Sequence, residues 1–248
     1  MSDQRLFSVL ELVATRDHPV TVAEMATAGA VPRPTMHRWL ASLTGAGLLQ
    51  RALNGRAYEL GPDASRLAFT ILGNRPGAAM RHAILQRVAH DVKESCNLTV
   101  LHGSQVTYLD RVESMWPLRI TFQPGSQVPV HCSASGKLFL ALMTPKKRGA
   151  LLQSLPLDRY TGNTLVDHDR LLQDLRGVRK LRYALDDEEY VPGLVCLAVP
   201  IMQRVGRARL CVAALAIQAP VSRLNSSTIL GRLPTLQAAA LAVAATLA

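Results

Sequence analysis

The 248-residue sequence has no CxxC pair and no cluster of histidines, and its four cysteines, Cys96, Cys132, Cys196 and Cys211, lie far apart. That spacing argues against a zinc centre or a dithiol redox pair and leaves the cysteines as small, reduced core residues. Long apolar runs are missing too. The most apolar stretch, the terminal AAALAVAATLA, is too short for a bilayer and rich in alanine. The opening MSDQRLFSVLELVATRD carries Asp3 and Glu11 and lacks the apolar centre of a secretory signal. A cytoplasmic protein with no membrane partner is expected. Repeats and low-complexity segments are absent, and 48% hydrophobic with 19% charged residues is a globular composition, enough for one large or two modest domains.

Acidic residues are in short supply: 18, against 28 lysines and arginines, for a formal net charge of +10. Such an excess suits an anionic partner. Its position weakens that inference, because residues 1–75 carry 8 basic and 6 acidic residues while the remainder carries 20 and 12. The local pattern says more. Between Glu24 and Glu59 there is no Asp or Glu, while Arg33, Arg38, Arg51 and Arg56 are all there.

That acid-free window reads as two short helices, a turn and a β-hairpin. Thr21 and Glu24 have capping-box spacing, so a helix should start near Val22. Gly29 offers a left-handed stop, with Pro32 and Pro34 close behind, giving a turn at Gly29 to Val31. Pro34 suits the first turn of a second helix, which places Met36, Trp39, Leu40 and Leu43 on one apolar face. Thr35, Arg38, Ala41 and Ser42 fall opposite, with His37 on the border. That outer face is small, polar and cationic, as a helix entering a major groove requires. Two short apolar runs, Leu48 to Arg51 and Ala57 to Leu60, flank Asn54–Gly55, a dipeptide favoured in hairpin turns. They make a wing, with Tyr58 packed on the helices. Helix, turn and helix with a few arginines is also ordinary helical packing; the wing and the acid-free window favour DNA.

Upstream, Leu6, Val9, Leu10 and Val13 recur at helical spacing. Downstream, a helix runs from Gly61 to Gly73, and Gly73 to Gly77 is the best domain boundary. We therefore expect a DNA-binding domain over residues 1–60, a linker helix over 61–75 and a second domain over 76–248. The second domain opens with a helix from Ala78 to Ser95. Strands are expected at Leu98–Leu101, Val106–Val112, Arg119–Phe122, Val128–His131, Tyr183–Leu185, Leu194–Met202 and Leu210–Ile217. Helices are expected over Ser135–Met143, from Pro145, after a cap at Asp167 or Asp169, and from Ser226 onward, the last presenting Leu230, Leu233, Leu236 and Leu241. The pattern is an α+β domain.

Motifs that would carry chemistry fail on inspection. Gly136–Lys137 lacks the first glycine and the Ser or Thr of a phosphate loop, so no nucleotide cofactor is expected and Lys137 reads as a helix-start cation or an interface residue. The run Asp186 to Glu189 lacks the glycine and spaced acids of a calcium loop and reads as a solvated segment, except that Asp186 could point inward. His131 and Cys132, adjacent on a strand, would face opposite ways and could not form a nucleophile and base.

The window just described, together with VHCSASGKLFLA (Val130 to Ala141) and LDDEEYVPGLVCLAVPI (Leu185 to Ile201), resembles the IclR family of bacterial transcription regulators over nearly the whole chain. The resemblance implies a winged helix-turn-helix domain, a linker helix and a GAF-like effector domain with an antiparallel sheet. It also implies a homodimer or dimer of dimers on palindromic promoter DNA. By this resemblance Thr35, His37, Arg38 and Ser42 face DNA; Arg33 and Arg56, from the acid-free window, are expected to join them. Asp186 and Cys196 match the pocket acid and cysteine of glyoxylate- and pyruvate-responsive members. Ala134 and Ser135 match the small pair whose N–H groups could hold a carboxylate, and Trp116 and Leu118 lie near the apolar lid. Two serines of those members appear here as Ala216 and Gln218. A larger, aromatic carboxylic acid becomes the expected effector, with Arg111 or Arg119 as its counter-ion.

Two readings of other classes stand beside this one. The chain could be a small-molecule enzyme using Cys196 or Asp186, with the winged domain for oligomerisation, or a protein-interaction adaptor.

Overall fold

The structure, a computed structural model, describes residues 3–16, 18–52, 55–74, 77–117, 122–205 and 208–247. It divides into two compact units, residues 1–74 and 75–248. Asn54, Leu118 and Arg119, and with them most of the strand expected at Arg119–Phe122, lie outside the described residues.

The first unit runs α1 (Asp3–Thr15), β1 (Val20–Thr21), α2 (Val22–Ala28), α3 (Arg33–Gly45), β2 (Leu49–Arg51), β3 (Ala57–Leu60) and α4 (Pro62–Asn74). The capping box forms: the Thr21 N–H donates to Glu24 Oε2 at 2.7 Å and the Glu24 N–H to Thr21 Oγ1 at 3.3 Å. The stop after α2 differs from expectation. Gly29 is right-handed, with φ −84°, and Ala30 takes the left-handed conformation at φ 48°. The Gly29 N–H still closes the helix onto Met25, so the reversal falls one residue later. There Ala30 and Val31 return N–H groups to Thr27 and Ala26, a Schellman closure.

The apolar stripe of α3 is buried as its periodicity requires: Met36, Trp39, Leu40 and Leu43 join Val9, Val13, Met25, Leu49 and Tyr58 in one core. The hairpin β2–β3 pairs Leu49 with Leu60 and Arg51 with Tyr58, with Gly55 left-handed between its strands. The short β1, which periodicity did not reveal, adds to it by pairing Val20 with Tyr58. At the root of the wing the backbone is tightly folded. Gly61 donates to the Leu48 carbonyl, Asp63 donates to that of Gly47, and a Cβ on Gly61 would sit 2.2 Å from the Gly47 oxygen.

The second unit runs α5 (Gly77–Val92), β4 (Ser95–His102), β5 (Gln105–Val112), β6 (Gln127–Pro129), α6 (Ala134–Leu142), α7 (Pro145–Ser154), α8 (His168–Leu181), β7 (Ala184–Asp187), β8 (Leu194–Val205), β9 (Ala208–Pro220), a 3-10 turn (Ile229–Arg232) and α9 (Leu233–Ala245). Its strands form one antiparallel sheet in the order β6-β5-β4-β9-β8-β7. Both faces are covered, so alternate residues serve different layers. Val106, Tyr108, Ala184, Ala198, Ala214 and Ala216 pack with α6 and α8, while α5 and α9 lie against the other face.

Asp167 caps α8 by accepting from the Arg170 N–H at 2.9 Å. In α9 the buried stripe is Leu236, Ala239, Ala240 and Val243, and Leu241 is exposed, contrary to expectation. Five residues beyond Leu236, it sits about 140° around the helix from the buried face. His131 and Cys132 lie in the turn between β6 and α6, not on a strand, so the argument from opposite strand faces does not apply. Among the described residues no helix is long and apolar enough to cross a membrane, and no group of three metal-ligating side chains could hold an ion.

Candidate DNA-reading head and effector cavity

The reading head follows from how α3 is buried. With Met36, Trp39 and Leu40 locked inward, the same helix exposes Arg33, His37, Arg38 and Ser42, and Thr35 is half-buried. All five therefore stand on the solvent side of one rigid helix. Arg56 is exposed at the wing beside β3. Arg51, on β2, is held in place: its Nη1 donates to the Gly55 carbonyl at 2.7 Å and its guanidinium lies 5.2 Å from the centre of the Tyr58 ring. The wing thus presents a cation with limited freedom to move.

The effector candidates converge on a cavity between the sheet and α6. Of the expected residues, Ala134, Ser135, Asp186, Cys196, Ala216 and Gln218 line it. Strand register explains this, since Asp186 pairs with Cys196, Cys196 with Gln218 and Ala198 with Ala216, which places their side chains in one patch of a single face. Sequence reasoning missed Asn97, Thr99 and Tyr108 on β4 and β5, and Phe122 and Tyr190 on irregular segments. The alternation of Asn97 and Thr99 with Cys96 and Leu98 was a usable signal for the first two.

Trp116 does not line this cavity, contrary to expectation. Its indole N–H donates to the Lys93 carbonyl at 3.0 Å and its ring lies beneath Arg223, which pairs with Glu94. Those contacts hold the ring elsewhere. Arg111 is not a lining residue either. Its guanidinium pairs with Glu113 and lies 5.9 and 5.8 Å from the Tyr108 and Phe122 ring centres, behind the aromatic wall.

That wall continues through rings within 5.1–6.4 Å of one another, from Tyr108 to Phe122, Tyr190 and Tyr160. In a chain with 4% aromatic residues, this is a concentration at one site. The cavity is narrow, with about 20 Å³ open to the centre of a water molecule inside a space of about 380 Å³ that includes solvent at its mouth. A ligand larger than a water molecule therefore has to part the walls.

Asp186 is 1% exposed, and its Oδ1 accepts N–H groups from Glu189 at 2.8 Å and Tyr190 at 3.3 Å. Burial raises its pKa to about 6 despite those bonds. Burial also pushes the Cys196 thiol well above its ordinary range, with the neighbouring Asp186 adding to the effect, so it is no thiolate nucleophile. Lys137 stands near the start of α6, as expected of a helix-start cation, but it is buried: it is 3% exposed, paired with Glu189 and 3.3 Å from Asp174 on α8. Glu189, expected in a solvated run, is 6% exposed, because Thr164 donates to its carbonyl and Lys137 holds its side chain inward.

The IclR helix-turn-helix domain matches residues 4–52, and the C-terminal domain of the bacterial transcriptional regulator IclR matches residues 70–245. The probable transcriptional regulator SauR of Cupriavidus necator is 40% identical over 236 residues, covering 95% of this chain and 92% of its own. The IclR structure of Thermotoga maritima shares the fold, with a TM-score of 0.66 at 24% identity over 98% of this chain and 97% of that one. An IclR homologue of Microbacterium hydrocarbonoxydans, solved with 4-hydroxybenzoate, has a TM-score of 0.61 at 26% identity over 98% and 97%. These relatives are regulators of transcription, which sets the enzyme reading aside. The chain belongs to the IclR family of bacterial transcription regulators, with a helix-turn-helix DNA-binding domain followed by the family's C-terminal effector domain.

Proposed function

We propose that the protein is a cytoplasmic dimer, or dimer of dimers, that binds palindromic promoter DNA and releases or tightens its hold when an organic acid enters the second unit. The observation that carries this is the exposed polar face of α3, set in a window free of acidic residues. Thr35, His37, Arg38 and Ser42 reach base edges, while Arg33 and Arg56 contact phosphates. Two such helices related by a two-fold axis meet major grooves about 34 Å apart. The functional division is residues 1–60 for DNA, 61–75 for the link and 76–248 for the effector.

The effector is an organic acid, aromatic in preference to aliphatic. Ala134 and Ala216 leave room, Tyr108, Phe122 and Tyr190 supply ring surface, and the N–H groups at the start of α6 receive a carboxylate. The 4-hydroxybenzoate bound by the Microbacterium homologue supports this choice. The test is to enrich an operator from random duplexes, then titrate it with 4-hydroxybenzoate, benzoate, pyruvate and glyoxylate present in turn. A change of about 5- to 150-fold in DNA affinity is expected from at least one acid. Failure to enrich any duplex refutes the DNA reading, and indifference to every acid refutes the effector reading.

A further inference from the structure

An acid-binding cavity would ordinarily offer a cation, yet no Lys, Arg or His is among its described lining residues, and the carboxyl group it contains is that of Asp186. The chemistry behind Asp186 accounts for this. Its Oδ1 is taken up by the Glu189 and Tyr190 N–H groups. The Glu189 side chain turns the other way, to Lys137, and Lys137 also reaches Asp174. Glu189 and Asp174 therefore share one buried ammonium, whose charge Asp186 also feels, and Glu189 Oε2 is buried without a hydrogen-bond partner among the described residues.

Among the described residues no other element adds a positive charge at Asp186. Its strand continues into the exposed Asp187, β8 contributes Cys196, β5 contributes Tyr108, and the turn before α6 contributes Cys132. Arg111, also on β5, is paired with Glu113 behind the Tyr108 and Phe122 rings. Burial lifts Glu189 to about 7 and Asp186 to about 6, outweighing the pull of Lys137. A further anion placed against Asp186 raises it more.

We propose that the Lys137–Glu189–Asp186 cluster stores a proton for the cavity, so that Asp186 meets an acid effector as a neutral carboxyl that donates a hydrogen bond. This rests on the acid-effector reading above. A carboxylic acid kept neutral by its surroundings is an effective donor, and here it stands where a cation would otherwise be needed. When the anion arrives, the proton moves to Asp186 from Glu189 or from water, and up to one proton per site is taken up. Lys137 and Glu189 are positioning residues; Asp186 touches the ligand.

Two measurements on the full-length protein test this. Infrared difference spectra of the unliganded protein, collected from pH 5 to pH 8, should show a protonated carboxyl persisting between pH 6 and 7. That signal should weaken in Glu189→Gln and in Asp186→Asn. Its absence from the unchanged protein overturns the proposal whatever binds. Calorimetry with 4-hydroxybenzoate and with pyruvate, in two buffers of different ionisation enthalpy, then reads proton uptake. An acid that binds should lose about tenfold in affinity per pH unit while one proton is taken up, and Asp186→Asn should flatten that dependence. Binding above pH 7, where Glu189 and Asp186 both start ionised, without proton uptake overturns the proposal. A persistent carboxyl signal with neither acid bound refutes the acid-effector reading and leaves the proton-holding cluster standing.

Discussion

Replacing Arg38 with alanine separates sequence reading from mere attraction to DNA. Arg38 is exposed on α3 while Met36, Trp39 and Leu40 are buried behind it, so the change leaves the core untouched and should move stability by no more than about 0.5 kcal/mol. A bidentate arginine contact to a base edge is worth about 1–3 kcal/mol. The proposed two-fold symmetric dimer would use it twice, so the expected loss is about 2–6 kcal/mol, or about 30-fold to about 20,000-fold in operator affinity. Arg51→Ala is the contrasting case. Arg51 is fixed by Gly55 and Tyr58 on the wing, suited to a phosphate, and its loss should lower the salt slope by about 1 per subunit with little change in preference among sequences. Fluorescence anisotropy at fixed salt, on the enriched operator and on a scrambled duplex, measures both. The reasoning is refuted if Arg38→Ala weakens both duplexes equally or neither of them.

Thr21→Ala removes the side-chain cap of α2 while keeping the backbone bond to Glu24, and should cost about 1 kcal/mol, read from urea unfolding followed by Trp39 fluorescence in a Trp116→Phe background. Gly136→Ala would put a Cβ 2.2 Å from the Val130 carbonyl oxygen, a backbone atom that cannot step aside. The start of α6 should shift, and binding of any acid effector should fall at least tenfold in calorimetry. With Glu189 held near 7 and Asp186 near 6, both above their unfolded values, the folded chain binds more protons than the unfolded one between about pH 4 and pH 7. The second unit should therefore lose stability as pH rises through that window, and a flat melting temperature there in wild type and Glu189→Gln alike would contradict it.

Local rules carried the first unit far. The capping box, the α3 stripe and the hairpin each need only a few neighbouring residues, and each forms where its residues stand. The stop after α2 was displaced to Ala30 because N–H returns to Ala26 and Thr27 decide it, and an alanine can pay the left-handed cost when two such bonds close the turn. In the second unit, the residues drawn from resemblance and found in the cavity lie on strands or at a helix start, where register fixes direction. The missed ones depend on distant pairings. Nothing near Lys137 announces Glu189, 52 positions on, and Trp116 is held aside by the Lys93 carbonyl and Arg223.

The backbone bonds at the root of the wing set where this molecule can be cut. Because Gly61 and Asp63 are stitched to Leu48 and Gly47, with no room for a side chain on Gly61, the first turn of α4 belongs mechanically to the reading head. A domain exchange with a relative that joins the chains at residue 60 would split that knot and leave two damaged halves. A junction beyond Asn74 carries the knot across whole, so an operator-swapped regulator has to be built with α4 travelling alongside its DNA reader.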